Sequence, residues 1–207
     1  IKKKKKSKVN KLTELYQAIE IISTQFNQPA LVEEFLNGTE YTIGFIGNYL
    51  LPILEIDFSK IPGNPLLRDP HIKNIENPYI SHLPWNEKAK KFASLAIKAH
   101  EALEVRDYNR MDFRERDEQL YFLEANVIPG LHPTEADLTN MCRHAGIAHA
   151  DMVVLILSSA VKRLSEQYPE RFKKKTELLN ELAKETISKA TYAGEIVYQD
   201  RVYNLLG

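Results

Sequence analysis

The chain has 207 residues, 43% of them hydrophobic and 27% charged, with 28 basic and 28 acidic side chains in formal balance. That length suffices for one large domain or two small ones with a sizeable core. The neutral balance argues against an extended nucleic-acid or membrane surface, so any anion binding should be local. A single cysteine, Cys142, excludes an intrachain disulfide and a multi-cysteine metal site. It suits a reducing, cytoplasmic setting, with the thiol expected to be buried and inert. No apolar run approaches the roughly 18 to 20 residues of a membrane span, and "DMVVLILSSAV" reads as a core helix. No signal peptide is visible, and the start "IKKKKKSKVN", without Met, is read as a fragment boundary.

In chain order, the run Lys2 to Lys6 is read as a solvated terminal charge cluster. "KLTELYQAIEIISTQF" then spaces Leu12, Leu15, Ile19, Ile22 and Phe26 for an amphipathic helix that should face a sheet and end at Pro29. Three β-rich runs follow, "ALVEEFL", "YTIGFIG" and "LLPILEIDF", separated by the turn signals Asn37-Gly38 and Gly47-Asn48, which predicts a meander. Ser59 to Pro84 holds five of the ten prolines and predicts a long loop. Helical spacing returns in "WNEKAKKFASLAIKAHEALEV" through Ala89, Phe92, Ala96, Ile97 and Leu103, with Asn86 as N-cap and Trp85 anchoring the loop. "DYNRMDF" and "LYFLEAN" flank the polar "RERDEQ" as a hairpin. "EADLTNMCRHAG" and "HADMVVLILSSAVKRLSEQY" predict helices broken near Gly146. The segment from Pro169 is charged and helical and closes on one strand, "GEIVYQDRVYNLL". These blocks predict an α+β fold with a largely antiparallel sheet flanked by helices. The chain divides into segments 1–36, 37–167 and 168–207, the last expected to pack on the sheet or serve assembly.

The informative spacing lies in the hairpin. Side chains alternate along a strand, so Arg110 and Asp112 share one face of the first strand, with Tyr108, and Glu124 and Asn126 share a face of the second. Met111, Phe113, Tyr121, Leu123 and Ala125 should cover the apolar face. If Asp112 lies opposite or diagonal to Glu124, two carboxylates about 5 Å apart repel by roughly 3 kcal/mol at an effective dielectric near 20. Arg110 or a divalent cation would relieve that repulsion. Asp, Glu and Asn oxygens are the hard ligands that Mg²⁺ prefers, and few protein ligands leave positions open for phosphate oxygens. The alternative is a solvated sheet face with surface ion pairs, each contributing little. Pro129-Gly130 directly afterwards is either a plain turn or a place where a bare backbone N–H can approach a substrate. His71 and His132 are candidate substrate contacts on loops, whereas His100, His144 and His149 are read as structural.

Taken together, "NRMDFR", "YFLEAN", "PG" and the upstream "ALVEEFLNGTEYTIGFIG" resemble the signature of the ATP-grasp ligases, most closely the D-alanine:D-alanine ligase branch, over approximately Ile1 to Leu164. The resemblance implies an ATP-grasp fold and an ATP- and Mg²⁺-dependent carboxylate–amine ligase, with Mn²⁺ as a substitute ion. The substrates it implies are small molecules, amino acids or dipeptide-like, and it leaves room for a homodimer. Residue by residue, it implies that Glu33 accepts from the adenine amino group. Glu34 and Leu36 offer backbone groups to adenine, Phe35 packs nearby, and Glu40 binds the ribose hydroxyls. Asp112, Glu124 and Asn126 match the metal ligands. Arg110 and the backbone N–H of Gly130 match the groups that stabilise charge on the reacting acyl phosphate. The family's glycine-rich phosphate loop and phosphate-binding lysines fall before the segment matching "IKKKKKSKV", so the chain is expected to be the C-terminal part of a longer ligase, inactive alone. No serine stands near Glu135, where many such ligases hold the acceptor carboxylate, and "NPLLRDPHIKN" lacks the usual lysine-bearing stretch, with Lys73 a weak candidate. Both departures leave the amine substrate open. A non-catalytic ATP-binding module and a metal-dependent hydrolase are the alternative readings.

Overall fold

The computed structural model describes residues 8–61 and 80–206. Lys2 to Lys6, most of the proline-rich segment, His71 and Lys73 lie outside the described residues. By internal contacts the chain forms two units, Ile1–Leu36 and Asn37–Gly207.

In the first unit, α1 (Leu12–Phe26) follows the predicted apolar spacing, and Asn27 ends it in a left-handed conformation two residues before Pro29. No residue of α1 is buried, and Leu12 and Phe26 are exposed. "ALVEEFL" is not a strand: residues 29–36 take no regular secondary structure. Apolar, β-prone composition becomes a strand only where a neighbouring backbone accepts its hydrogen bonds. The meander therefore loses its first member, and Asn37-Gly38 is no hairpin turn.

The second unit is built on β1 (Glu40–Ile46), β2 (Tyr49–Leu50), β3 (Leu54–Ile56), β4 (Ile80–His82), α2 (Glu87–Ala102), β5 (Tyr108–Arg116), β6 (Gln119–Asn126), α3 (Asp137–His144), α4 (His149–Gln167), α5 (Pro169–Lys189), β7 (Tyr192–Tyr198) and β8 (Arg201–Leu206). β1 is the hub. Along one side it pairs with β5, which pairs in turn with β6; on the other side it pairs with β3 near its start and β2 near its end. β4 continues from β3, and β8 and β7 continue from β2, the β2–β8 contact being parallel and the rest antiparallel. The expectation of one closing strand is thus corrected. Gln199 and Asp200 both adopt positive φ and turn the chain into a hairpin, which places Tyr203, Leu205 and Leu206 in the core.

Alternation along β1 sets the layers. Tyr41, Ile43 and Phe45 face α2, whose Phe92, Ala93, Ala96 and Ile97 complete one core. Ile46, with Leu51 and Leu54, faces α3 and α4 through Leu138, Met141, Met152 and Leu155. Asn86 caps α2 as expected, its Oδ1 accepting from Ala89 N at 3.0 Å, but Leu103 is the exposed C-cap and not part of the stripe. Trp85 donates its indole N–H to Leu206 O at 3.0 Å, fixing the start of α2 to β8. The break between α3 and α4 falls at Gly146, with φ +81°. Cys142 is fully buried, and burial pushes its thiol up to about 12, which makes it inert. Among the described residues, no single helix is long and apolar enough to cross a membrane.

Candidate functional site

The β5–β6 hairpin closes through Asp117-Glu118, both at positive φ. Its register sets Asp112 directly opposite Glu124 and Arg110 opposite Asn126. The four polar side chains singled out from the hairpin therefore do share one face. Beyond Asp112 a β-bulge shifts the pairing, so that Phe113 faces Phe122 and Arg114 faces Tyr121. This corrects the expected apolar set. Phe122 meets Phe113 edge-on at 5.6 Å, and Leu120 packs on the core with Ala125. Tyr121 moves to the polar face beneath the Arg116 guanidinium, 5.0 Å from its ring centroid, and Leu123 is exposed.

Arg110 and Asp112 sit at the centre of this face. Arg110 Nη2 donates to Asp112 Oδ2 at 2.9 Å and Nη1 donates to Asp137 Oδ2 at 2.7 Å. Arg110 Nε is buried and has no hydrogen-bond partner among the described residues. From β1, Thr42, paired opposite Asp112, donates its hydroxyl to Asp112 Oδ1 at 2.9 Å. Burial pushes the Asp112 carboxyl above the ordinary aspartate value. The charge of Arg110 and the hydrogen bonds from Thr42 and Arg110 oppose that rise, and the nearby Asp137 charge adds to it.

Asn126 Nδ2 donates to Asp112 Oδ2 at 3.3 Å and to Glu124 Oε1 at 3.1 Å. Two carboxylate oxygens, one buried and one exposed, therefore converge on a single point where a donor stands. An amide turned the other way would present its oxygen beside them, giving a set of hard oxygen ligands. These residues fit a divalent cation that takes part of its shell from a ligand. Among the described residues no group of three His, Cys, Asp or Glu side chains is placed to hold a metal ion by itself.

The sequence reading missed Thr42 and Asp137. Thr42 was legible as the polar member of "EYTIGFI" on the same face as Glu40. Asp137 is the first residue of α3, where the helix dipole favours a carboxylate. On β1, Gly44 lies opposite Arg110. A Cβ there would stand 2.8 Å from both Leu138 Cδ1 and Met141 Sδ, so a larger residue would require those two side-chain ends to shift.

The other predicted residues fall as follows. Glu40 begins β1 and pairs with Arg114 at 3.3 Å, and Arg114 also lies 4.6 Å over the Phe58 ring. Glu33, Glu34, Phe35 and Leu36 belong to the first unit; Glu33 and Glu34 are exposed, and Phe35 receives Lys8 Nζ 4.1 Å over its ring. Gly130 is exposed, and a Cβ built on it would meet nothing within 4 Å, so its neighbourhood is open to a ligand. Its loop is pinned on one side: Arg143 Nη2 donates to Pro133 O at 2.7 Å, and His149 Nε2 bonds Leu131 O at 2.8 Å. His132 bonds within its own turn to Thr134. His100 stacks on Phe45 and bonds Asn109, both inside the core.

Residues 6–158 match the family described as "D-ala D-ala ligase C-terminus". Among solved structures, the D-alanine–D-alanine ligase from Bacillus anthracis complexed with ATP superposes with a TM-score of 0.62 at 18% identity, over 77% of this chain and 50% of that one. The D-alanine–D-alanine ligase from Coxiella burnetii gives 0.58 at 18% identity, over 82% of this chain and 45% of that one. The chain spans about half the length of the ligases it matches, and at this identity the likeness establishes the fold, that of the ATP-grasp ligases.

Proposed function

The chain belongs to the D-ala D-ala ligase C-terminal family, and from that premise we propose that it supplies the metal and oxyanion side of an ATP-dependent ligase joining a carboxylate to an amine. The observation that carries the proposal is the convergence of Asp112, Glu124 and Asn126 beside a guanidinium held by two carboxylates. In this reading Asp112, Glu124 and Asn126 hold Mg²⁺, which when bound neutralises charge on the nucleotide phosphates. Glu33, Glu34, Phe35 and Leu36 bind adenine, and Glu40 binds the ribose.

The chemistry runs in two balanced steps. A substrate carboxylate oxygen attacks the γ-phosphorus of ATP, the bond to the β-phosphate oxygen breaks, and ADP leaves an acyl phosphate. The amine nitrogen then attacks the acyl carbon, loses a proton, and expels inorganic phosphate. Negative charge grows on the acyl oxygen during that attack. In this reading Arg110, held by two carboxylates, and the backbone N–H of Gly130 stabilise it, a contribution typically of about 3 to 4 kcal/mol per donor. The substrates are small carboxylate and amine compounds, amino acids or short peptides. Phosphate release from ATP, assayed across such compounds with the full-length protein, tests this. Release that requires both a carboxylate and an amine supports ligation, and release indifferent to the amine refutes it.

A further inference from the structure

We infer that Asp137 is a positioning residue for Arg110, acting as the second jaw of a two-carboxylate clamp that sets the plane of the guanidinium. The first jaw, Asp112, lies two residues along the same strand and bonds Nη2; the second comes from α3 and bonds Nη1. The side chains of Arg110, Asp112 and Asp137 retain 18%, 11% and 8% of their exposure, so water competes weakly for these bonds.

One carboxylate alone leaves a guanidinium free to swing about its bond; two carboxylates on different elements remove that freedom. The jaws are not equivalent. Asp112 is also bonded by Thr42 and Asn126 and, in the ligase reading on which this role rests, belongs to the metal set. Asp137 bonds Arg110 from the first turn of α3, where the helix dipole stabilises its charge. It is therefore the partner that keeps Arg110 aimed when Asp112 is shared with a cation. The Nη–H groups that the two jaws leave over on the guanidinium then face a fixed direction. Fixed donors of this kind favour a transition state over a ground state.

The test has two arms on the full-length protein. Guanidinium ¹⁵N–¹H spectra, with Arg110→Lys identifying the Arg110 signals, should show separate, slowly exchanging Nη resonances in the wild type. These should merge in Asp137→Ala and return in Asp137→Glu. Asp137→Asn gives an intermediate case that keeps the volume if the alanine variant does not fold. In the kinetic arm, Asp137→Ala should lower kcat by about 10- to 100-fold while the KM for ATP changes less than about threefold. In an Arg110→Lys background the same change should cost nothing further, because the two residues act as one unit. Unchanged Arg110 signals in Asp137→Ala, or losses that multiply in the double variant, overturn the clamp. If the wild type forms no amide, the ligase reading fails, while the spectra still decide whether the clamp exists.

Discussion

Thr42→Val probes how the buried half of the site is held. Thr42 is 0% exposed, sits opposite Asp112 on the neighbouring strand, and gives its hydroxyl to Asp112 Oδ1 at 2.9 Å. Valine nearly matches threonine in volume, so β1 packing survives and the loss isolates the donor. A hydrogen bond to a charged group contributes about 1.5 to 3 kcal/mol. Here Asp112 keeps Arg110 and Asn126 on its other oxygen, so the expected loss is about 2 kcal/mol. In urea denaturation this appears as a lower midpoint at unchanged slope, and in a thermal melt as a drop of roughly 4 to 8 °C for a chain of this size. Removing the donor also raises the Asp112 pKa further, since that hydrogen bond is one of the influences lowering it. The double-variant cycle sharpens the test. In an Asp112→Asn background the acceptor is neutral, so Thr42→Val should cost only about 1 kcal/mol. A Thr42→Val variant within about 0.5 kcal/mol of the wild type, or one losing as much in the Asp112→Asn background as in the wild-type background, would refute the reasoning.

Acid should destabilise the fold through His82. Its ring stacks on His144 at 3.6 Å, and burial, then the His144 charge, lower its pKa from 6.5 to about 4. Between those values the unfolded chain binds a proton that the folded one refuses, so stability is full above about pH 6.5 and is lost as pH falls through about 4. The gap is worth about 3 kcal/mol, or about 2 once solvent screening of a partly exposed ring is allowed for. His82→Phe keeps the stack and should remove that part of the pH dependence, narrowing the fall in Tm between about pH 7 and about pH 4 by roughly 4 to 8 °C; parallel wild-type and variant curves would contradict this. Gly38→Ala should lower stability by about 1 to 3 kcal/mol in chemical denaturation. Its Cβ would stand 1.9 Å from the carbonyl oxygen of Glu115, a backbone atom tied to β1 through Glu115 N and Thr39 O. A variant as stable as the wild type would show that β1 and β5 can part at that end without cost.

Periodicity carried much of the architecture. Helical spacing located α1 and α2, Gly146 marked the break between α3 and α4, and the polar "RERDEQ" announced the β5–β6 turn. Alternation grouped Arg110 with Asp112 and Glu124 with Asn126, but the bulge between Asp112 and Phe113 is what sets the two pairs on one face, since unbroken pairing from the Asp117-Glu118 turn would put Asp112 opposite Leu123. It failed where backbone geometry broke the period of two. The bulge after Asp112 moved Tyr121 and Leu123 off the expected face. Pairs that turn at positive φ without glycine, such as Gln199-Asp200, left the closing hairpin unseen. Residues 29–36 illustrate a different limit: β-prone composition is only a weak prior for a strand, and tertiary context overrides it. Asp137 escaped notice because its link to Arg110 spans 27 positions.

The central claim is that Asp112, Glu124 and Asn126 form a cation site that serves ATP. The most direct measurement is calorimetric titration of ATP into the full-length protein with Mg²⁺ and with chelator, for the wild type and for Glu124→Ala combined with Asn126→Ala. The account predicts that Mg²⁺ tightens ATP binding by about tenfold or more in the wild type, and that this gain disappears in the double variant. A double variant that keeps the full Mg²⁺-dependent gain would contradict it.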